Sequence, residues 1–362
     1  MSDSKSKSAS KSKPKPKPRA KREKAATLTV AVTGPTGDIG SALLRALERT
    51  REVGRVLGMA RRPFDPRGAG LEKTEYRQGD VLDRDSVDAL VAEADVVVHL
   101  AFLILGSHEE TRKINLDGSR NVFEAVRDAK KCRRLVYASS VAAYGFHEDN
   151  PELLREDVPT RGTDEHYYSQ QKAAVERVLE DVLDGSSVET YVFRPCIVAG
   201  PEALLLIENI PYVQMGEKVP SALRRFFDAV PMLKPVIPDN GTPFQLVHHD
   251  DVAAAMTAAI VGRGEPGVYN LAGAGKLTMR DMADALGYYS VPIPDVAVEA
   301  TAEIVSRLPL MPAEAQWVNV MRVPVIMDTT KAREQLDWKP AHDALDTLRA
   351  TVDGARRAEL IR

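Results

Sequence analysis

Cysteine is nearly missing from this sequence: Cys132 and Cys196 are the only two in 362 residues. They lie far apart and neither has a partner at metal-ligand spacing, so a disulfide framework and a zinc module are both excluded and no metal is expected. So few thiols fit a reducing compartment, hence a cytoplasmic protein. Long apolar runs are missing too. Nothing approaches the ~20 residues that span a bilayer. The longest candidate, near Val96 to Leu105, is broken by His99 and reads as a buried strand and the turn after it. No membrane association is expected.

The first stretch has almost no apolar residues. Residues 1–26 carry ten Lys or Arg against two acids, while the whole chain is at −3, so the remainder is acidic. Such a segment cannot bury enough surface to offset chain entropy and is expected to be disordered. It has no apolar h-region, so it is not a secretory signal. A basic tail on an acidic body could touch nucleic acid or anionic lipid, but a solubilising linker is the simpler reading. No nucleic-acid partner is assigned.

Past residue 27 the chain is of ordinary globular composition, with 44% hydrophobic residues, and long enough for one large core with a smaller lobe. LTVAVT at 28–33 is a short β-branched run, followed by GPTGDIG and then by Ile39, Leu43 and Leu47 at helical spacing with Leu44 beside them. Further strands are expected at Val56 to Ala60, in YRQGDVLD, at 95–101, at 134–139 and in VETYVFRP. Helices are expected over 84–94, 109–130 and 166–184 between them. Strand and helix alternate, which predicts an α/β fold with a doubly wound parallel sheet. From about residue 199 the pattern loosens. FQLVHHDDVAAAMTAAI reads as one strand and one helix returning to the main sheet. GVYNLAG and a final helix after Trp338 read as part of a smaller lobe.

Gly34, Gly37 and Gly40 form G-x-x-G-x-x-G between the first strand and its helix. Glycine allows the sharp turn and a close approach to a pyrophosphate, and the helix directs its free N–H groups and positive end at the phosphates. Position on the first strand of a βαβ series is what makes this triple specific. Gly34, Gly37, Asp38, Ile39 and Gly40 are therefore candidate cofactor-binding residues. An NAD site usually has an acid about 20 residues past the turn, on the ribose 2′-hydroxyl. Here the second strand ends GMARRP: Ala60 takes that place and Arg61 and Arg62 follow. A guanidinium suits a 2′-phosphate, so NADP is favoured over NAD. Asp80 and Val81, in QGDVLD, are expected near the adenine edge, and Leu100 and Ala101 along the cofactor channel. The fold expectation becomes a Rossmann-type dinucleotide-binding domain over 27–198, with 244–263 returning to it. Residues 199–243 and 264–362 form the substrate-binding lobe.

Tyr168-Ser-Gln-Gln-Lys172 places a phenol and an ammonium on one helix face. A free phenol titrates near 10, too high for efficient proton exchange at neutral pH. A neighbouring ammonium, joined by the positive nicotinamide ring, would lower that value. Ser140, at the end of the fifth strand in VYASSVAAYG, supplies a hydrogen bond beside the reacting oxygen. Tyr167 is a rival phenol, but its i+4 neighbour is Gln171. Ser140, Tyr168 and Lys172 are the catalytic candidates, with Lys172 also reaching the nicotinamide ribose.

TGPTGDIG, GDVLD, VVVHLA, VYASSVAAYG, YYSQQK, FRPCIVAGP and VHHDDVA together resemble successive blocks of the extended short-chain dehydrogenase/reductase family, its NAD(P)-dependent epimerase/dehydratase group. The resemblance runs from about residue 28 to about 350. It implies Ser140 as hydrogen-bonding residue, Tyr168 as acid/base and Lys172 as its partner, Asn115 as a support of the site or a brace of a strand, and a homodimer paired through flanking helices. Two departures bear on the substrate. Where nucleotide-sugar epimerases usually carry an Asn two positions before Tyr-Gly-Pro, this chain has Ile197 and Ala199, and Phe102 stands where small residues are usual. Arg194 and His249 are possible polar contacts but read more simply as structural. The implied activity is hydride transfer at a carbinol or carbonyl carbon of a small molecule, either epimerisation or dehydration of a sugar derivative or NADPH-dependent reduction of a non-sugar carbonyl. A non-catalytic cofactor-binding regulator is a third reading, disfavoured because Tyr168 and Lys172 are both present.

Overall fold

Leu28–Thr33 (β1) sends alternate side chains into two apolar layers, and that period of two organises the molecule. The computed structural model describes residues 27–104, 106–164, 166–208, 236–292 and 323–361; the basic tail and parts of 199–243 and 264–362 lie outside these. Val30 and Val32 join Leu43, Leu44 and Leu47 on one side of the sheet. Ala31 joins Leu57, Val97, Val122 and Phe123 on the other. The strand is buried on both faces, as expected for a parallel sheet covered by helices.

Seven strands form that sheet among the described residues, all parallel. They are β1, β2 (Val53–Ala60), β3 (Thr74–Gln78), β4 (Val96–His99), β5 (Arg134–Ala138), β6 (Glu189–Pro195) and β10 (Gly267–Leu271), in the order β3-β2-β1-β4-β5-β6-β10. Helices α1 (Asp38–Arg49) and α7 (His249–Ile260) cover one face. On the other lie α2 (Arg84–Val91), α4 (Gly118–Asp128) and α5 (Tyr167–Leu183). The order reverses between β1 and β4. The carboxyl ends there leave the crevice in which such sheets bind ligands.

Two parts of the sequence reading are corrected. Residues 267–271, assigned to the smaller lobe, close the edge of the main sheet beside β6, with Tyr269 and Leu271 fully buried. The strand read as returning there is instead β9 (Leu246–His248), which pairs with β7 (Ile197–Ala199) in a separate two-stranded sheet. Short apolar runs look alike locally, and which edge each joins is set by partners far away in the chain. The helix expected over 109–130 is also interrupted. Helix α3 (His108–Arg112) runs into a single π-helical turn, Lys113–Asp117, before α4 begins. Such a turn commonly marks a functional position.

The C-terminal lobe has its own apolar cluster. Phe244 and Leu246 meet Met282 and Leu286 of α8 (Met279–Leu286), and Leu348 and Val352 of α10 (Ala344–Arg357). β8 (Val236–Asp239) and β11 (Tyr289–Pro292) pair beside it. The short helices α6 (Leu205–Glu208) and α9 (Thr330–Gln335) complete the described elements. No helix among the described residues is long and apolar enough to cross a membrane.

Candidate active site

The glycine turn lies where β1 hands over to α1. Gly34 has φ +72°, and a Cβ there would stand 2.8 Å from the backbone nitrogen of Ala101. A side chain at Gly40 would collide with the Gly34 carbonyl and the backbone of Pro35. Both glycines are thus required by the backbone. Gly37 differs: it is exposed, and a Cβ would meet nothing closer than 3.7 Å. It is the N-cap of α1 and its helix has no side-chain cap. The first N–H groups of α1, from Asp38 and Ile39 onward, therefore lack the usual side-chain acceptor and suit an anion. That donor set and the closely packed glycines fit a dinucleotide pyrophosphate. Asp38 itself is acidic, and burial with the nearby Glu208 and Glu202 raises its proton affinity. Its part in an anion site is its main chain, not its carboxylate.

Leu100 and Ala101 follow β4 directly against this turn: Leu100 N–H donates to the Thr33 carbonyl at 3.1 Å, and Ala101 touches Gly34. Arg61 and Arg62 follow β2 and are exposed, and among the described residues neither guanidinium has an ion-pair or hydrogen-bond partner. Asp80 closes the turn after β3 by accepting from Leu82 N–H at 3.0 Å. Val81 is buried with its side chain against Gly118 of α4, so only its main chain can border the crevice.

The candidate reacting groups converge from two elements. Ser140 ends the stretch after β5 and caps the 3₁₀ turn Val141–Tyr144, its Oγ accepting from Ala142 N–H at 3.2 Å. Its hydroxyl is also hydrogen-bonded to the Tyr168 phenol from the first turn of α5. Lys172, one turn further, is buried; its Nζ donates to the Ala138 carbonyl at 2.8 Å and lies 3.8 Å from the centre of the Phe102 ring. That ring stands edge-on to Tyr168, with 5.5 Å between centroids. Burial pushes the Lys172 ammonium down to about 7, opposed by Glu176. The sequence reading has the ammonium, joined by the positive nicotinamide ring, drawing the phenol below its usual value; among the protein's own groups burial acts the other way. Burial raises Tyr168, the Ser140 bond opposes the rise, and Lys172 makes its close contacts with Ala138 and Phe102 instead.

Tyr167 is removed as a rival: its hydroxyl donates to the Ile104 carbonyl at 2.6 Å. Its i+4 neighbour Gln171 is a brace. Asn115, set by the π-helical turn, accepts from Leu103 N–H at 2.7 Å, donates to Gln171 Oε1 at 2.7 Å, and so ties the loop after β4 to α5. Arg194 is structural, as the simpler reading has it. It forms a buried pair with Glu176 at 2.5 Å and lies 4.6 Å from the centre of the Tyr144 ring. Ser139 also donates to Glu176. Glu176 went unrecognised in the sequence, although its place four residues beyond Lys172 on α5 was a usable signal.

Two buried histidines frame the site. His99 bonds Thr33 Oγ1 at 2.7 Å and Ser119 Oγ at 2.9 Å, and burial together with Lys172 lowers it to about 3. His166 caps α5 and is lowered by burial to about 4. Their neutral forms are favoured by folding, whereas the unfolded chain takes up protons below its ordinary value near 6.5. Stability is therefore greatest above about pH 6.5 and is lost as pH falls toward 4. Urea midpoints compared at neutral and mildly acidic pH are expected to show that loss, and Ser119→Ala should not abolish it.

The fold has known counterparts. The sequence profile of the NAD-dependent epimerase/dehydratase family matches residues 30–272. The chain belongs to that family. Among curated relatives, ceramide reductase of Caulobacter vibrioides is 26% identical over 322 residues, covering 86% of each chain. An uncharacterised protein of Sinorhizobium fredii is 25% identical over 324 residues, 87% of this chain and 75% of its own. Among solved structures, UDP-glucuronic acid 4-epimerase of Bacillus cereus with NAD superposes at a TM-score of 0.67, with 19% identity, over 91% of this chain and 97% of that one. dTDP-glucose 4,6-dehydratase of Bacillus anthracis with NAD gives 0.67 at 16% identity, over 92% and 98%. At these identities the structures show a shared fold. Membership makes this an enzyme of the NAD-dependent epimerase/dehydratase family.

Proposed function

We propose that this family member reduces a carbonyl group of a non-sugar substrate, with NADPH as hydride source. The hydrogen bond between Ser140 and Tyr168, with Lys172 one helical turn beyond, carries the reading. Bound at the glycine turn, the cofactor supplies the hydride. Ser140 holds the substrate oxygen, and Tyr168 delivers the proton to it as the carbinol forms. Lys172, held by the Ala138 carbonyl and the Phe102 ring, would hydrogen-bond the cofactor ribose.

The choice of a reductase on an apolar substrate rests on the walls of the site. Phe102 and neutral His166 border the phenol, and Phe146 packs behind His166: His166 lies 6.1 Å from Tyr168 and 5.7 Å from Phe146 between ring centres. Aromatic edges offer little to the hydroxyls of a sugar, and Ile197 and Ala199 add none of the polar contacts a nucleotide sugar uses. Similarity to a ceramide reductase points the same way. Epimerisation of a sugar nucleotide is the second reading, supported by the fold shared with UDP-glucuronic acid 4-epimerase.

Identifying the nicotinamide nucleotide that co-purifies, and its redox state, tests the choice. A readily exchanged NADPH supports reduction, a tightly held oxidised cofactor supports epimerisation, and no affinity for either nucleotide overturns both. Arg61→Ala is expected to weaken NADP(H) by about 10- to 100-fold, the loss of one charged hydrogen bond, with NAD(H) little changed. Fluorescence titration checks this, and tighter binding of NAD(H) than NADP(H) by the wild type would sink the preference.

A further inference from the structure

The start of α7 holds a group of side chains that the proposed chemistry does not use. His249 is 1% exposed, and neither of its ring nitrogens has a hydrogen-bond partner among the described residues. An unmatched buried polar group is uncommon and calls for a ligand, a water or an ion. The ring is tightly fixed. Its Nε2 edge packs against Gly200, where any side chain would collide with it. One face stacks on His248 at 4.4 Å between centroids, and His248 stacks on His342 at 3.9 Å. The Nδ1 edge faces Asp250, 3.5 Å from its Oδ1. His248 turns the same edge to the same carboxylate, with Nδ1 3.9 Å from Oδ2.

We propose that His248, His249 and Asp250 form a binding site for a divalent transition-metal ion of the zinc type. One ligand atom from each lies within 4.8 Å of the others. Ligands about 2.1 Å from a tetrahedral ion stand about 3.4 Å from one another. The His249–Asp250 separation of 3.5 Å already matches that spacing, and His248 joins them by turning its Nδ1 from the Asp250 N–H toward the carboxylate. Its Nδ1 lone pair now accepts from Asp250 N–H at 3.2 Å, a long cap bond that coordination would replace. Both imidazoles are buried, and coordination takes them in their neutral form. Two imidazoles and one carboxylate select zinc, cobalt or nickel over magnesium, which prefers oxygen. Asp250 is half-exposed and gives the ion its entry path, leaving the fourth position to water. Arg45 opposes binding with its charge, but its close contact is with Glu202 at 2.7 Å and it stays 3.9 Å from Asp250. None of the three ligands belongs to the Ser140–Tyr168–Lys172 group. The ion's role is to pin the first turn of α7 to the strand-end residue His248.

The full-length protein, stripped with a chelator and dialysed, is titrated with Zn²⁺ by calorimetry and followed by thermal melting. One Zn²⁺ per chain and a raised melting temperature are expected, with no response to Mg²⁺. Asp250→Asn alters an exposed carboxylate, and His249→Phe keeps a ring in the stack. Each should weaken Zn²⁺ binding by about 100-fold or more, since losing even an outer partner of a metal ligand costs about 10- to 100-fold. Their melting temperatures in chelator should stay near that of wild type. The site is overturned if wild type takes up no Zn²⁺, if Mg²⁺ stabilises equally, or if both variants bind Zn²⁺ as wild type does.

Discussion

Tyr168→Phe is expected to cut turnover by about 10² or more, the typical contribution of a positioned proton-transfer group, while leaving nicotinamide-nucleotide affinity nearly intact. In the proposed mechanism the phenol exchanges a proton with an oxygen held by Ser140, its hydrogen-bond partner. Phenylalanine preserves the ring and its edge-on contact with Phe102, so a loss of rate can be assigned to the hydroxyl. Tyr167→Phe is the matched control. It removes a bond to the Ile104 carbonyl instead and should leave the chemical step in place. The measurement is reduced-nicotinamide absorbance in single turnovers, beside a cofactor titration for each variant. Wild-type turnover in Tyr168→Phe would exclude the mechanism.

Glu176→Ala is expected to destabilise the fold by about 3–5 kcal/mol, the usual cost of leaving one partner of a buried ion pair uncompensated. Arg194 and Glu176 have side-chain exposures of 5% and 4%, so the guanidinium left behind cannot turn to water. The carboxylate also receives the Ser139 hydroxyl and supports the charge on Lys172. The same substitution should therefore shift Lys172 to still lower proton affinity. Denaturant unfolding reads the first effect, and the pH dependence of turnover by the surviving folded enzyme reads the second. Replacing Glu176 and Arg194 together with apolar residues of similar volume should restore much of the stability but not the proton affinity of Lys172. An unchanged denaturation midpoint in Glu176→Ala would show that the pair contributes nothing to the fold.

The catalytic candidates were legible because local rules place them. The glycine turn needs φ +72° at Gly34 and no side chain at Gly40, and Tyr168 and Lys172 are set by helical period alone. Asn115 was legible as a position and ambiguous as a role, until its bonds to Leu103 and Gln171 made it a brace. What stayed hidden depends on partners distant in sequence. GVYNL and FQLV are equally short apolar runs, and nothing within either says that the first completes the main sheet. The Glu176–Arg194 pair joins α5 to β6, and the unmatched ring of His249 is visible only once Gly200 is packed against it. Spacing likewise gives the proximity of Lys172 to Tyr168, whereas burial and competing contacts act on the proton affinity of each.

Because β10 is delivered to the sheet only after the chain has left to build α7, residues 27–198 are not a self-sufficient half. A protein cut after residue 198 would present the bare edge of β6, with Tyr191 and Phe193 deprived of the Tyr269 ring that stacks on them at 6.4 and 5.8 Å. An open apolar edge of that kind recruits strands from other molecules. The nucleotide half and the lobe are therefore one unit of synthesis: the ribosome must emit residue 271 before the first strand's sheet can close.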